Sequence, residues 1–253
     1  MNKSYFEHYF GMDGYMVFPN AVPRELLDAY RGKYPRDVVM NSAPYSSYFS
    51  SRFEFLDNKE ILDIACLPIL NKVFAYMGKY FRVHMSEARV GSSSIKWHRD
   101  FNPSHIGYGS SGYIESGDEY MGLLVAISDA QEGSGCFELV PGSHKWETDY
   151  SVVTRENLLN NPDICFDYYE KLIHDKRATT FEFAPRSGDM LLWHGSLIHR
   201  GKQPDRNGLE RESLLIHYAG ISHDDVIRNT YEESDLMAKE YPGSRMILQG
   251  LPE

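Results

Sequence analysis

Two rhythms of apolar and polar positions divide the chain. Up to about residue 80 the apolar residues recur at helical spacing, and beyond it they alternate or cluster in short runs punctuated by Gly, Ser, Pro and Asp. The apolar Tyr15-Met16-Val17-Phe18 predicts a short strand. Pro23 then fits a first helical position, followed by Leu26, Leu27 and Tyr30, with a stop near Gly32. Asn58 is a cap for a helix running to about Cys66. Pro68 starts another, with Ile69, Val73 and Met77 on one face and Gly78 as its stop. One apolar stripe per helix predicts packing on the outside of a sheet.

The second rhythm predicts strands at Phe81–Val90, Ile95–Asp100, Gly122–Ser128, Cys136–Val140, Thr179–Phe183, Asp189–His194 and Glu212–Gly220. Asn102–Glu119 and Lys145–Arg177 read as long polar insertions between strands, where sites are commonly walled or capped. The stretch Asp224–Lys239 reads as partly helical. No repeat and no long Pro/Gly/Ser linker interrupts the 253 residues. The expected fold class is mainly β with flanking helices, in a single domain over 1–253 with a helical part at about 20–80 and a β core at about 80–220.

Composition narrows the function classes. The aromatic content, 18 Tyr, 13 Phe and 3 Trp, is that of a folded chain. With 36 acidic against 26 basic residues the net charge is −10, which offers no basic footprint for nucleic acid or anionic membrane. Cys66, Cys136 and Cys165 form no CxxC pair, so no thiolate metal site is suggested and a reducing cytoplasm fits. The N-terminal stretch shows no signal-like apolar region and no run of about 18 apolar residues occurs, so a cytoplasmic location is expected.

The candidate chemistry starts at Lys96-Trp97-His98-Arg99-Asp100. On a strand, His98 and Asp100 project to one face and make two thirds of a 2-His-1-carboxylate set, which binds Fe(II) and leaves positions open. An HxD alone arises often by chance. Downstream, an apolar strand leads to His194 and then to His199, which is followed by an Arg-Gly turn, and Arg211-Glu212-Ser213 opens the next apolar strand. Arg211 and Ser213 share a face, and a guanidinium beside a hydroxyl is a receptor for a carboxylate.

As an ordered set, His98-x-Asp100, His199, Arg211-x-Ser213, the segment Ser128–Cys136, the block Val140-Pro141-Gly142-Ser143-His144-Lys145 and the opening Asp13–Asn20 resemble the phytanoyl-CoA dioxygenase family of Fe(II)/2-oxoglutarate-dependent oxygenases. The likeness covers about residues 10 to 220. It implies a double-stranded β-helix, a cupin-like jelly roll, with His98, Asp100 and His199 as iron ligands and Arg211 holding the distal carboxylate of 2-oxoglutarate. The family often has a hydroxyl residue two places after the distal histidine. Here that place is Gly201, and Ser213 is the candidate replacement donor.

The resemblance further implies that O₂ and 2-oxoglutarate are consumed to succinate and CO₂ while a substrate C–H bond is hydroxylated. A carboxylate at Asp100 leaves no vacancy of the kind that halogenases resembling this family use for chloride. Desaturation, cyclisation and epimerisation use the same ligands and remain alternatives, as does a non-catalytic cupin-like binding protein. The expected partner is a small molecule. Arg89 and Lys96 are candidates to meet its charge, and Tyr108 and Tyr113 to contact it from a lid, with the 45–52 loop as a second cover. With no basic patch to dock a carrier protein, a free substrate is preferred. His199 is preferred over His194 as the distal ligand because of its Arg-Gly turn and its relation to Arg211, His144 reads as a turn residue, His217 as a satisfied core histidine with substrate contact as the alternative, and His8, His84, His105, His174 and His223 have no partner spacing.

Overall fold

The computed structural model describes residues 3–41, 48–49, 58–77, 80–91, 95–100, 120–131, 133–205 and 211–221. The Tyr108 and Tyr113 lid, most of the 45–52 loop, Gly78 and the Asp224–Lys239 stretch lie outside them. The order is α1 (Lys3–Asp13), β1 (Tyr15–Phe18), α2 (Arg24–Lys33), α3 (Arg36–Asn41), β2 (Tyr48–Phe49), α4 (Lys59–Ala65), α5 (Pro68–Met77), β3 (Tyr80–Val90), β4 (Tyr120–Ala126) and β5 (Phe137–Leu139). After a 3₁₀ turn at Ser143–Lys145 come α6 (Arg155–Asn160), α7 (Pro162–Asp175), β6 (Phe181–Phe183), β7 (Met190–His194), β8 (His199–Gly201) and β9 (Glu212–Ile221).

Among the described residues all the strand pairings are antiparallel, in a six-stranded sheet ordered β1-β7-β4-β9-β3-β2 and a three-stranded sheet ordered β6-β5-β8. Period two sorts the larger sheet. Met121, Leu123 and Val125 of β4, Met190 and Leu192 of β7, and Leu214, Ile216 and Tyr218 of β9 join one core with Leu27, Tyr30, Ile61, Leu70 and Phe74 from the helices. The alternate residues Leu124, Leu191, Trp193 and Leu215 meet Phe137, Leu139 and Phe183 of the smaller sheet. The two sheets therefore face each other across an apolar layer, the jelly-roll arrangement that the resemblance implies. Each leucine buried in these layers contributes about 1.5–3 kcal/mol.

A third cluster packs Cys165 and Tyr169 of α7 with Trp97, Val140 and Ile198, which covers the outer side of the smaller sheet. The Lys145–Arg177 insertion is thus helical rather than an open loop. Cys165, Tyr168, Tyr169, Leu172 and Ile173 make the stripe at helical spacing that packs into this cluster, a helical period inside the stretch read as a polar insertion. By contrast α1, 11 residues long, buries only Phe6 and Phe10 and carries no clear apolar stripe in the sequence.

Other expectations shift in detail. Pro23 is the N-cap of α2 rather than its first residue, and Gly32 lies inside that helix, which ends at Lys33. Asn58 caps α4 as expected, its side chain accepting from the Ile61 amide at 3.2 Å. In α5 the buried face is Leu70, Val73 and Phe74, rotated from the expected Ile69, Val73 and Met77. Most important for the site, Ile95–Asp100 is not a strand. It touches the sheet through one bridge, His98 to His199.

Candidate metal centre

The HxD segment keeps strand-like alternation because its outward side chains are pinned. Trp97 is buried in the outer cluster and carries the Arg200 guanidinium over its ring at 4.2 Å. Buried Arg99 donates to Thr148 Oγ1 at 2.6 Å, to the Ser143 carbonyl at 2.7 Å and to that of Trp146 at 3.0 Å. Anchoring 97 and 99 on the outside turns His98 and Asp100 inward. Just before the facing strand β8, Leu197 enters the inner core and Ile198 the outer one, while the Ile198 amide is held by Ser143 Oγ at 2.8 Å. His199 follows, pointing inward against Phe137 and Trp193.

Both imidazoles are oriented by the same local device. His98 Nδ1 lies 2.8 Å from the Lys96 carbonyl and His199 Nδ1 lies 2.9 Å from the Leu197 carbonyl. A carbonyl only accepts, so each Nδ1 carries the proton and each Nε2 presents a lone pair. These lone pairs meet Asp100 Oδ1, at 3.8 Å from His98 Nε2 and 3.5 Å from His199 Nε2. The three donor atoms lie within 4.8 Å of one another. Ordinary ligand bonds of about 2.0–2.2 Å let one ion bridge such gaps. The other carboxylate oxygen, Oδ2, accepts from Trp193 Nε1 at 2.8 Å and has His217 Nδ1 at 3.9 Å.

Protonation states suit a cation. Burial, then the neighbouring His199, lowers His98 to about 3, so it is neutral near pH 7. Burial alone would raise Asp100, but the imidazoles of His199, His217 and His98 outweigh it and hold the carboxyl well below its usual range. Two imidazole nitrogens and one carboxylate on one side of an ion match the donor set of a non-heme Fe(II) centre.

The expected anchor, Arg211 and Ser213, stands at the start of β9, the strand whose His217 faces Asp100 Oδ2. Arg211 is buried and its Nε has no hydrogen-bond partner among the described residues, nor has the buried Ser213 Oγ. Burial lowers Arg211 to about 10, which leaves it charged near neutral pH. An orphaned guanidinium nitrogen and hydroxyl, dry and on one face, fit a carboxylate ligand, because leaving them unpaired costs about 1–3 kcal/mol each or more. The residues present thus fit both the metal and a dicarboxylate.

A family model described as phytanoyl-CoA dioxygenase (PhyH) matches residues 10–205. The chain belongs to the phytanoyl-CoA dioxygenase family. The matched span holds His98, Asp100 and His199 and ends before Arg211. Among its relatives, phytanoyl-CoA dioxygenase 1 of Oryza sativa subsp. japonica is 30% identical over 96 residues, 38% of this chain and 31% of that protein. The chain therefore aligns with about a third of that relative's length. Among solved structures, EctD from S. alaskensis with bound Fe superposes with a TM-score of 0.63 at 17% identity, covering 87% of this chain and 76% of the other. The non-heme alpha ketoglutarate dependent epimerase SnoN from nogalamycin biosynthesis gives 0.60 at 16% identity, covering 86% and 82%. At such identity the structures attest the fold.

The remaining residues singled out for the phytanoyl-CoA dioxygenase site separate cleanly. Arg89 shares a sheet face with Ser213, its register partner, and its Nε donates to Glu87 Oε2 at 3.0 Å. Lys96 does not join them. Its side chain is 56% exposed and its ammonium reaches Asp163 of α7 at 2.8 Å, so it belongs to the outer surface. His217 is not a satisfied core histidine, since its buried Nδ1 lacks a hydrogen-bond partner among the described residues and faces Asp100. His194 packs against His144 and Phe10, away from the ligands. Sequence reasoning missed Trp193 as a partner of Asp100. The available signal was Gly122, a glycine inside an apolar strand, which marks a close approach.

Proposed function

We propose that this phytanoyl-CoA dioxygenase family member is an Fe(II)/2-oxoglutarate-dependent oxygenase that hydroxylates a C–H bond of a small polar molecule. The observation that carries this reading is the pairing of one inward face, His98 Nε2, Asp100 Oδ1 and His199 Nε2, with the unpartnered Arg211 Nε and Ser213 Oγ. A purely structural or storage role has no physical need for three convergent donors together with a buried guanidinium whose Nε lacks a partner among the described residues.

His98, Asp100 and His199 would hold Fe(II). Bound there, the ion would supply the activation of O₂ that couples oxidation of 2-oxoglutarate to succinate and CO₂ with transfer of the second oxygen atom to the substrate. Arg211 and Ser213 receive the distal carboxylate, which orients the keto acid toward the ion. The local positive charge of ion and guanidinium attracts a dianion in spite of the chain's net charge of −10. The largely buried Arg89–Glu87 pair, on the sheet face it shares with Ser213, supports a polar substrate with groups of either sign. The acidic exterior supports neither nucleic acid nor an anionic membrane as partner, and no helix among the described residues is long and apolar enough to cross a membrane.

Purified protein supplied with Fe(II), 2-oxoglutarate, O₂ and a panel of candidate small molecules should form succinate in step with substrate loss. Mass analysis of the product then decides the outcome. Gain of one oxygen atom supports hydroxylation; loss of two hydrogens assigns desaturation or ring closure; an unchanged mass with inverted configuration assigns epimerisation. Absence of succinate, with or without any substrate, contradicts the oxygenase reading.

A further inference from the structure

Trp193 and Gly122 stand opposite each other in the β4·β7 register, and Gly122 also faces His217 in the β4·β9 register. A Cβ built on Gly122 falls 2.1 Å from Cε2 and from Cζ2 of the Trp193 ring, so the indole lies flat on the glycine backbone. Cε2 is the atom bonded to Nε1. The glycine therefore fixes where the only polar atom of the ring sits.

The other sides of the ring are closed as well. Phe137 packs at 4.8 Å between centroids, His199 at 5.4 Å, and His217 meets the ring edge-on at 5.8 Å and 87°. A buried indole N–H is a donor without alternatives, and here it is spent on Asp100 Oδ2 at 2.8 Å. A carboxylate can serve a metal through one oxygen or both. With Oδ2 claimed by the indole, Oδ1 is the oxygen that faces His98 Nε2 and His199 Nε2.

We propose that Trp193, seated by Gly122, is a positioning residue that holds Asp100 as a one-oxygen metal donor. This rests on the reading of His98, Asp100 and His199 as a metal centre. Outer partners of this kind orient ligands, and their loss typically weakens metal binding about 10–100-fold. Phenylalanine in place of Trp193 keeps an aromatic ring in the core and removes only the N–H donor. Alanine at Gly122 keeps the donor and displaces it.

The test is Ni(II) binding to the metal-free protein by calorimetry, a cation that a two-histidine remnant still retains well enough to measure. Trp193→Phe should weaken Ni(II) by about 10–100-fold, with the melting temperature of the metal-free protein reported alongside. In an Asp100→Ala background the same substitution should change nothing further. Gly122→Ala should weaken binding in the same sense, and the double variant with Trp193→Phe by less than the product of the two effects. Unchanged affinity in Trp193→Phe, or an equal loss with and without Asp100, would overturn the indole's role. Should the parent itself fail to bind Ni(II), the metal centre falls and this inference with it; should Trp193→Phe fail to fold, Gly122→Ala with and without Asp100 decides the question.

Discussion

His98 and His199 form a mutual antiparallel pair, each amide donating to the other's carbonyl at 3.0 Å, with their rings 4.3 Å apart. Ligands remote in sequence are thus registered by the backbone before any ion arrives. An ion held by both would act as a cross-link between the HxD segment and β8.

Metal should therefore stabilise the fold. At a free Mn(II) concentration 100 times its dissociation constant the gain is about 2.7 kcal/mol, a rise in melting temperature readable by scanning calorimetry. A chelator should reverse it. His199→Ala and His98→Ala should each abolish the shift.

Arg211 separates binding from stability. Removing a buried hydrogen-bonded charge from a ligand's partner costs about 2–5 kcal/mol, so Arg211→Met should weaken 2-oxoglutarate by about 30-fold or more and leave metal affinity nearly unchanged. The same variant exchanges a desolvated guanidinium, with an unpartnered Nε, for an apolar side chain. Its ligand-free form should unfold at an equal or higher urea midpoint.

Arg99 is the reverse case. Its three donated bonds hold the HxD segment to the 3₁₀ turn and to Thr148. Arg99→Ala should cost about 2–4 kcal/mol in urea unfolding and weaken metal binding as the segment loosens. Lysine should rescue little, since a single ammonium does not reproduce the guanidinium fork.

Period two was the most legible signal of the site. It placed His98 with Asp100 and Arg211 with Ser213, and the first pairing holds although Ile95–Asp100 is not a strand, because Trp97 and Arg99 are pinned on the opposite side. The two-sheet core was legible for the same reason. What the sequence does not display is set by contacts between distant segments. β8, only His199-Arg200-Gly201, has little strand propensity and exists by pairing with β5, with the His98 bridge on its other side. The burial of Tyr169 in α7 depends on the outer cluster, and Lys96 is drawn outward by Asp163, an acid that becomes its neighbour only after folding. The Trp193 to Asp100 bond crosses between elements and leaves no local pattern beyond Gly122.

Acid should weaken the metal-free protein in part through His144. Burial, then the neighbouring His194 and Lys145, lowers His144 from 6.5 to about 4. Between those values the unfolded chain binds the proton and the folded chain does not. The contribution is therefore complete above about pH 6.5 and is lost as pH falls toward 4. In His144→Gln, urea unfolding followed over that window should show a shallower pH dependence than in the parent.

The central claim is tested most directly by anaerobic titration of 2-oxoglutarate into the Fe(II)-loaded protein, followed by visible absorption. A keto acid chelating iron at His98, Asp100 and His199 predicts a weak charge-transfer band that saturates, is absent in His199→Ala and needs far more 2-oxoglutarate in Arg211→Met. No band in the parent, or an equal band in His199→Ala, would contradict the account.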